Sequence, residues 1–164
     1  MSDPKPVKPV VEGWFTAGAK PALIGTRCAV CSSAFFPRED LFCRNPHCDS
    51  TQLDQVELSR TGTIWAATQN FYPPPPPYIA PDPFEPYILA AVTLDDDGLV
   101  VMGPVRRGAA VEQLCAGTRV ELSTGIAYED DDATWLMWEW APIEAPSVVA
   151  ANVTTDETEG SALR

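Results

Sequence analysis

CAVCSSAFFPREDLFCRNPHC, residues 28–48, holds four of the chain's five cysteines within 21 residues. The spacing is C-x2-C-x11-C-x4-C. Two disulfides, a redox pair, a metal cage and an accident of composition are the competing explanations. A C-x-x-C pair sits on a tight turn whose backbone N–H groups help to neutralise thiolates, and two such turns face to face make the tetrahedral sulfur cage that zinc prefers. The flanking sequence has none of the βαβ pattern that accompanies a redox C-x-x-C. The spacing therefore predicts a structural zinc ribbon with Cys28, Cys31, Cys43 and Cys48 as ligands. His47 stands beside Cys48 as the alternative fourth ligand. All four positions are then filled by protein, which leaves no open position for a substrate or water. Phe35, Phe36 and Pro37 are placed to cover one side of this cage. Cys115, in an apolar context, reads as a small buried residue.

The rest of the composition bounds the function. The chain has 164 residues and a formal net charge of −12. Residues 1–60 carry seven basic and seven acidic side chains, whereas residues 61–164 carry four basic and sixteen acidic ones. An acidic half-chain repels phosphates, which weighs against nucleic-acid binding. No apolar run approaches the ~18 residues of a membrane span, and the polar, proline-rich N-terminus lacks the apolar core of a signal peptide. The expectation is a cytoplasmic protein, in a compartment where clustered cysteines hold metal more often than disulfides.

Upstream of the cysteines, Val10, Val11, Trp14 and Phe15 recur at helical spacing, which predicts a helix within Val7–Lys20 despite Gly13 and Gly18. Such a helix has no core of its own. It docks on its own chain or on a partner. Downstream the pattern changes to strands. Val56–Leu58 leads into a strand over 62–71. YILAAVTL (87–94) and LVVMG (99–103) flank the turn DDDG (95–98), where the glycine supplies positive φ, so they form a hairpin. A short helical turn is expected over 109–115. Strands over 118–128 and 134–140 follow. Five strands, with a single helical turn between the third and fourth, are the order of an OB barrel. The loop from Pro73 to Pro86 has eight prolines in fourteen residues. It is a stiff lid or a partner surface carrying Tyr78 and Phe84. In the last strand Leu136, Trp138 and Trp140 share one face, with Trp135 and Met137 on the other. That second face is either covered by the chain or is a subunit contact.

The predicted organisation is mainly β: an N-terminal helix and arm over 1–22, a rubredoxin-like zinc ribbon over 23–53, a five-stranded OB-fold over 54–145 and a disordered acidic tail over 146–164. No nucleophile–base pair stands out, and His47 is the single histidine.

This order, with Pro37-Arg38 between the knuckles, Ser50 after the last cysteine, the Gly62-x-Ile64 strand and the phrase YILAAVTLDDDG, resembles a zinc-ribbon/OB-fold family associated with acyl-CoA enzymes. The resemblance spans about residues 7–145. It implies a non-catalytic accessory subunit of a thiolase-superfamily enzyme, of the lipid-transfer-protein-like kind that shortens steroid or other acyl-CoA side chains. The partner chain carries the catalytic residues. The implied cofactors are structural zinc and, at the complex, acyl-CoA. Candidate partner surfaces are Trp14, Phe15, Tyr78, Phe84, Trp135 and Met137. A single-stranded nucleic-acid-binding module and a stand-alone acyl-CoA-binding protein are the alternatives. For the latter, Arg106 and Arg107 are the residues available to meet CoA phosphates.

Overall fold

A computed structural model describes residues 5–75 and 79–143. Among the described residues nine strands make two sheets. β1 (Val7–Pro9), β5 (Thr61–Asn70), β6 (Tyr87–Leu94), β7 (Val100–Pro104), β8 (Arg119–Glu129) and β9 (Thr134–Pro142) form a six-stranded sheet in the order β1-β9-β8-β5-β6-β7. β2 (Ile24–Cys28), β3 (Ala34–Phe35) and β4 (Leu53–Glu57) form a three-stranded ribbon in the order β3-β2-β4.

The larger sheet curls on itself. Val105, just past β7, meets Trp140 of β9 in a parallel bridge, and the Arg106 N–H donates to the Trp140 carbonyl at 2.9 Å. The first barrel strand, β5, thus lies between the second and the fourth, while the fifth returns to the third. This is the closure expected of an OB barrel. The 3-10 turn Val111–Gln113 falls between β7 and β8, at the expected place.

Alternation sets the barrel interior. Ile64, Val92, Leu94, Val101, Val120, Leu122, Trp138 and Trp140 are all buried, each on the inward step of its strand. Gly103 on β7 is a packing requirement: a Cβ added there would overlap the six-membered ring of Trp138. Gly103→Val is therefore expected to cost about 1–3 kcal/mol through overpacking. Urea denaturation should show this as a lower midpoint at an unchanged m-value.

The N-terminal segment is not a helix. Its first part is β1, paired in parallel with β9 through Val7–Thr134, Lys8–Trp135 and Pro9–Leu136. The Val10 N–H donates to the Leu136 carbonyl at 2.8 Å. Gly13 and Gly18 have φ of +78° and +133°, which breaks a helix. The open edge of β9 supplies ladder partners instead. Beyond the bend, Phe15 bridges Leu23 and is 4% exposed. Phe15 is thus a core residue and not a partner surface.

One run of aromatic rings joins the three parts. Trp14 meets Phe36 edge-on at 5.6 Å, Phe36 meets Trp138 at 6.1 Å, and Trp138 meets Trp140 at 5.7 Å. Offset and edge-on pairs of this kind add about 0.5–1.5 kcal/mol each beyond their buried area. Phe36, expected beside the cysteines, packs on the barrel core. Cys115, expected to be buried, is exposed, because Leu114 takes the inward position of the turn.

A second tie is ionic. Arg27 of β2 pairs with Asp97 of the β6–β7 turn at 2.5 Å, and the Asp97 side chain is only 4% exposed. The other Asp97 oxygen accepts the Ser59 N–H at 2.6 Å. Asp97→Ala leaves that N–H and the guanidinium without their acceptor. The expected cost is about 1–3 kcal/mol. Thermal melting and faster proteolysis of the 58–60 linker should report it.

Next to it, the Arg119 guanidinium, helped by the Thr61 hydroxyl, holds Asp95 down at about 2 from an ordinary 3.8. A depressed carboxyl stabilises the fold above its unfolded pKa, and that contribution disappears as pH falls through its folded one. Asp95→Asn is therefore expected to flatten the acid limb of a stability–pH curve between about pH 4 and 2.

Candidate metal centre

The four cysteines come together. Cys28 ends β2, Cys31 follows three residues on, and Cys43 and Cys48 flank the second knuckle. Their sulfurs all lie within 4.8 Å of one another. Cys28 and Cys48 sulfurs are 3.8 Å apart, and those of Cys31 and Cys43 are 3.5 Å apart. A tetrahedral ion with ~2.3 Å bonds to sulfur needs sulfur–sulfur separations of ~3.8 Å. The four cysteines are positioned to bind a metal. None of the five cysteines is in a disulfide.

Local backbone chemistry builds each knuckle. In the first, Ser32 has φ of 60°, its N–H donates to the Cys28 carbonyl at 2.9 Å, and the Cys28 N–H donates to the Ser33 carbonyl at 2.9 Å. The left-handed residue folds the chain back on itself within one turn. In the second, the wider x4 spacing is taken up by Asn45. Its carbonyl accepts the Cys48 N–H at 2.9 Å, and its side-chain oxygen accepts the His47 N–H at 3.0 Å. The Cys43 N–H donates to the Ser50 carbonyl at 2.8 Å, which closes the loop. His47 is exposed on this knuckle and is not one of the four converging groups.

The electrostatics of the thiols are opposed. Hydrogen bonds from the Ser33 hydroxyl and N–H hold Cys31 down at about 6. The Cys31 backbone N–H lowers Cys28. Burial pushes the Cys43 thiol up to about 12. For Cys48 a hydrogen bond from the Ser50 N–H lowers the value, but burial and the neighbouring sulfurs of Cys31 and Cys28 outweigh it and raise the net. Four thiolates this close repel each other unless a cation sits among them. The donor set, four soft sulfurs in a closed tetrahedral arrangement, fits zinc.

Glu39 supports the loop between the knuckles and was not legible as a site residue. Its backbone N–H and carbonyl bracket the Thr26 hydroxyl at 3.0 and 2.9 Å. Its carboxylate accepts the Leu41 N–H and pairs with Arg44. The hydrogen bond from the Leu41 N–H, then the hydrogen bond and charge of Arg44, hold it below its ordinary pKa.

The other expected residues lie elsewhere. Arg106 is engaged by Glu139 at 3.1 Å, and Arg107 beside it is exposed on the turn after β7. Trp135 stacks on Tyr128 at 5.9 Å, has the Lys8 ammonium 5.8 Å over its ring, and donates its indole N–H to Asp130 at 2.7 Å. Met137 and Trp14 pack in part against the core, and Phe84 is half-buried. Tyr78 and the tail expected over 146–164 lie outside the described residues. Among the described residues no helix is long and apolar enough to cross a membrane.

A four-sulfur ribbon followed by an OB barrel defines the class: two small β modules, the first shaped to be clipped by an ion. Family comparison gives the same division. Residues 15–54 match the family described as the ChsH2 rubredoxin-like zinc ribbon domain, and residues 55–125 match the ChsH2 C-terminal OB-fold domain. The chain belongs to this ChsH2-type zinc-ribbon/OB-fold family. It is similar to a DUF35 domain-containing scaffold protein of Methanocaldococcus jannaschii, 29% identical over 129 residues, covering 76% of this chain and 83% of that one. Among solved structures it is similar to a chain of the Ltp2-ChsH2(DUF35) aldolase. That match has 27% identity and a TM-score of 0.55, and it covers 74% of this chain and 84% of that one.

Proposed function

We infer that the chain is a non-catalytic accessory subunit of a thiolase-like, lipid-transfer-protein-type acyl-CoA enzyme, an aldolase or thiolase acting on steroid or other acyl-CoA side chains. The observation that carries this reading is joint coverage. Ribbon and barrel match together, over about three quarters of the chain, a protein named as a scaffold and a chain of a two-component aldolase. In this reading zinc is held by Cys28, Cys31, Cys43 and Cys48. It supplies fold rather than chemistry, since four protein ligands leave no position for substrate. The reacting groups belong to the larger partner, and acyl-CoA is bound at the complex.

Co-expression with a thiolase-like chain from the same source tests this. The two should elute together in gel filtration. Acyl-CoA cleavage should need both, and this chain alone should be inactive. An elution profile unchanged by the partner, or thioester cleavage by this chain alone, would contradict the reading.

A further inference from the structure

The outward side of β5, β6 and β7 carries no charged residue. Register places Ala66 beside Ala91 and Ala91 beside Met102, with Val100 one step along β7 and Leu89 two residues from Ala91 on β6. The register shift between Ile64 and Ala66 is a bulge. It puts Ala66 on the same outward side as Trp65, which is 68% exposed. Met102 and Val100 are 66% and 54% exposed. The outward side of β8 and β9 is different and bears Arg119, Glu121 and Glu139.

Among the described residues this face also borders an open strand edge. β7 is the last strand of its sheet, and the barrel closes only beyond it, at Val105. The Leu94 N–H bonds to the Leu99 carbonyl and the Val105 N–H to the Ile88 carbonyl. By the alternation of an antiparallel ladder, the backbone groups of Val100 and Met102 therefore point away from β6. Edge strands are ordinarily blunted by lysine or other charge. Here none is present.

Charge distribution selects the occupant. From residue 61 to residue 105 there is no Lys or Arg. Acidic residues stand at both ends of the face, Asp82 and Glu85 before β6 and Asp96 after it, while Asp95 and Asp97 of the same turn are neutralised by Arg119 and Arg27. A second copy would bring the same acidic rim and another net −12, and like charge opposes that pairing. Nucleic acid is repelled for the same reason. Three strands ~4.8 Å apart and about five residues long present on the order of 250 Å². That is about a third of the ~800 Å² each partner gives to a stable complex. An apolar centre of this size with a polar rim is the anatomy of a protein–protein interface.

We propose that the outward face of β5, β6 and β7, centred on Trp65 and Met102, docks the enzyme subunit, which meets it with an apolar patch rimmed by Lys and Arg. The proposal rests on the accessory-subunit reading. The test uses the full chain and the co-expressed thiolase-like chain. Trp65→Glu and Met102→Glu each alter an exposed side chain, and thermal melts should show both folded. Each is expected to weaken the complex by roughly 30-fold or more, the scale of an interface hot spot. Glu121→Lys, on the charged side of β8, should leave affinity within about threefold, as surface changes away from a hot spot do. Amides of Val100 and Met102 should exchange quickly in the isolated chain and slowly in the complex.

Unchanged affinity in both variants overturns the docking face while leaving the accessory role intact. Slow exchange of those amides in an isolated monomer assigns the face to the chain's own tail, and a wild-type dimer that the variants dissolve assigns it to a second copy. Either result overturns the proposal. If the wild type forms no complex, the accessory reading fails, and this proposal with it.

Discussion

Cys43→Ser is expected to release the metal and unfold the ribbon over residues 24–57. Cys43 is buried, and its thiol is the one that burial pushes highest, to about 12. Burial disfavours its anion, so a cation is what favours its thiolate. A hydroxyl does not replace a thiolate as a ligand. The ribbon sheet itself is three strands of five, two and five residues, too small to stand without a staple. Structural zinc contributes ~10–16 kcal/mol in isolated fingers at neutral pH. Loss of one ligand removes enough of this to leave the module unfolded.

The expected readings for Cys43→Ser are near-zero bound metal by elemental analysis and rapid proteolysis within the ribbon. Loss of the Phe36–Trp138 contact should also change tryptophan fluorescence. Acid should mimic the variant, since protons compete with the ion for all four sulfurs.

Trp140→Ala is expected to be the most damaging single change in the barrel. Trp140 is 0% exposed, packs edge-on to Trp138 at 5.7 Å, and sits where Val105 closes the sheet. Truncation forfeits the transfer energy of the ring and leaves a cavity that the curled sheet cannot collapse into. Such changes cost about 3–5 kcal/mol. A typical domain has about 5–15 kcal/mol in all, so the variant should melt well below the wild type or not accumulate. A loss under about 1 kcal/mol, as for a surface substitution, would mean that the barrel does not close at this ring.

The metal centre was legible because its chemistry is local. Ligand identity and spacing decide it, and the x4 knuckle needed only Asn45 to close. The barrel strands were legible because inward and outward residues alternate, and Gly98 marks the β6–β7 turn with φ of 63°. The N-terminal segment misled because Val10, Val11, Trp14 and Phe15 mimic a helical period. The deciding facts were two glycines at positive φ and a free edge on β9, which lies over a hundred residues away in sequence. Arg27–Asp97 spans 70 residues and has no sequence signature. Trp65 reads as one more β-former; alternation from Ile64 points it outward, and the bulge at Ile64/Ala66, which brings Ala66 to the same side, has no sequence signature. Cys115 and Leu114 are neighbours on one turn, and composition alone does not say which points in.

In the proposed reading the ribbon's fold depends on four sulfurs sharing one ion. Zinc-edge X-ray absorption on the purified full chain measures this directly. One zinc per chain with four sulfur neighbours at ~2.3 Å is the expected result. A shell containing nitrogen or oxygen, or material that is folded without stoichiometric metal, would contradict it.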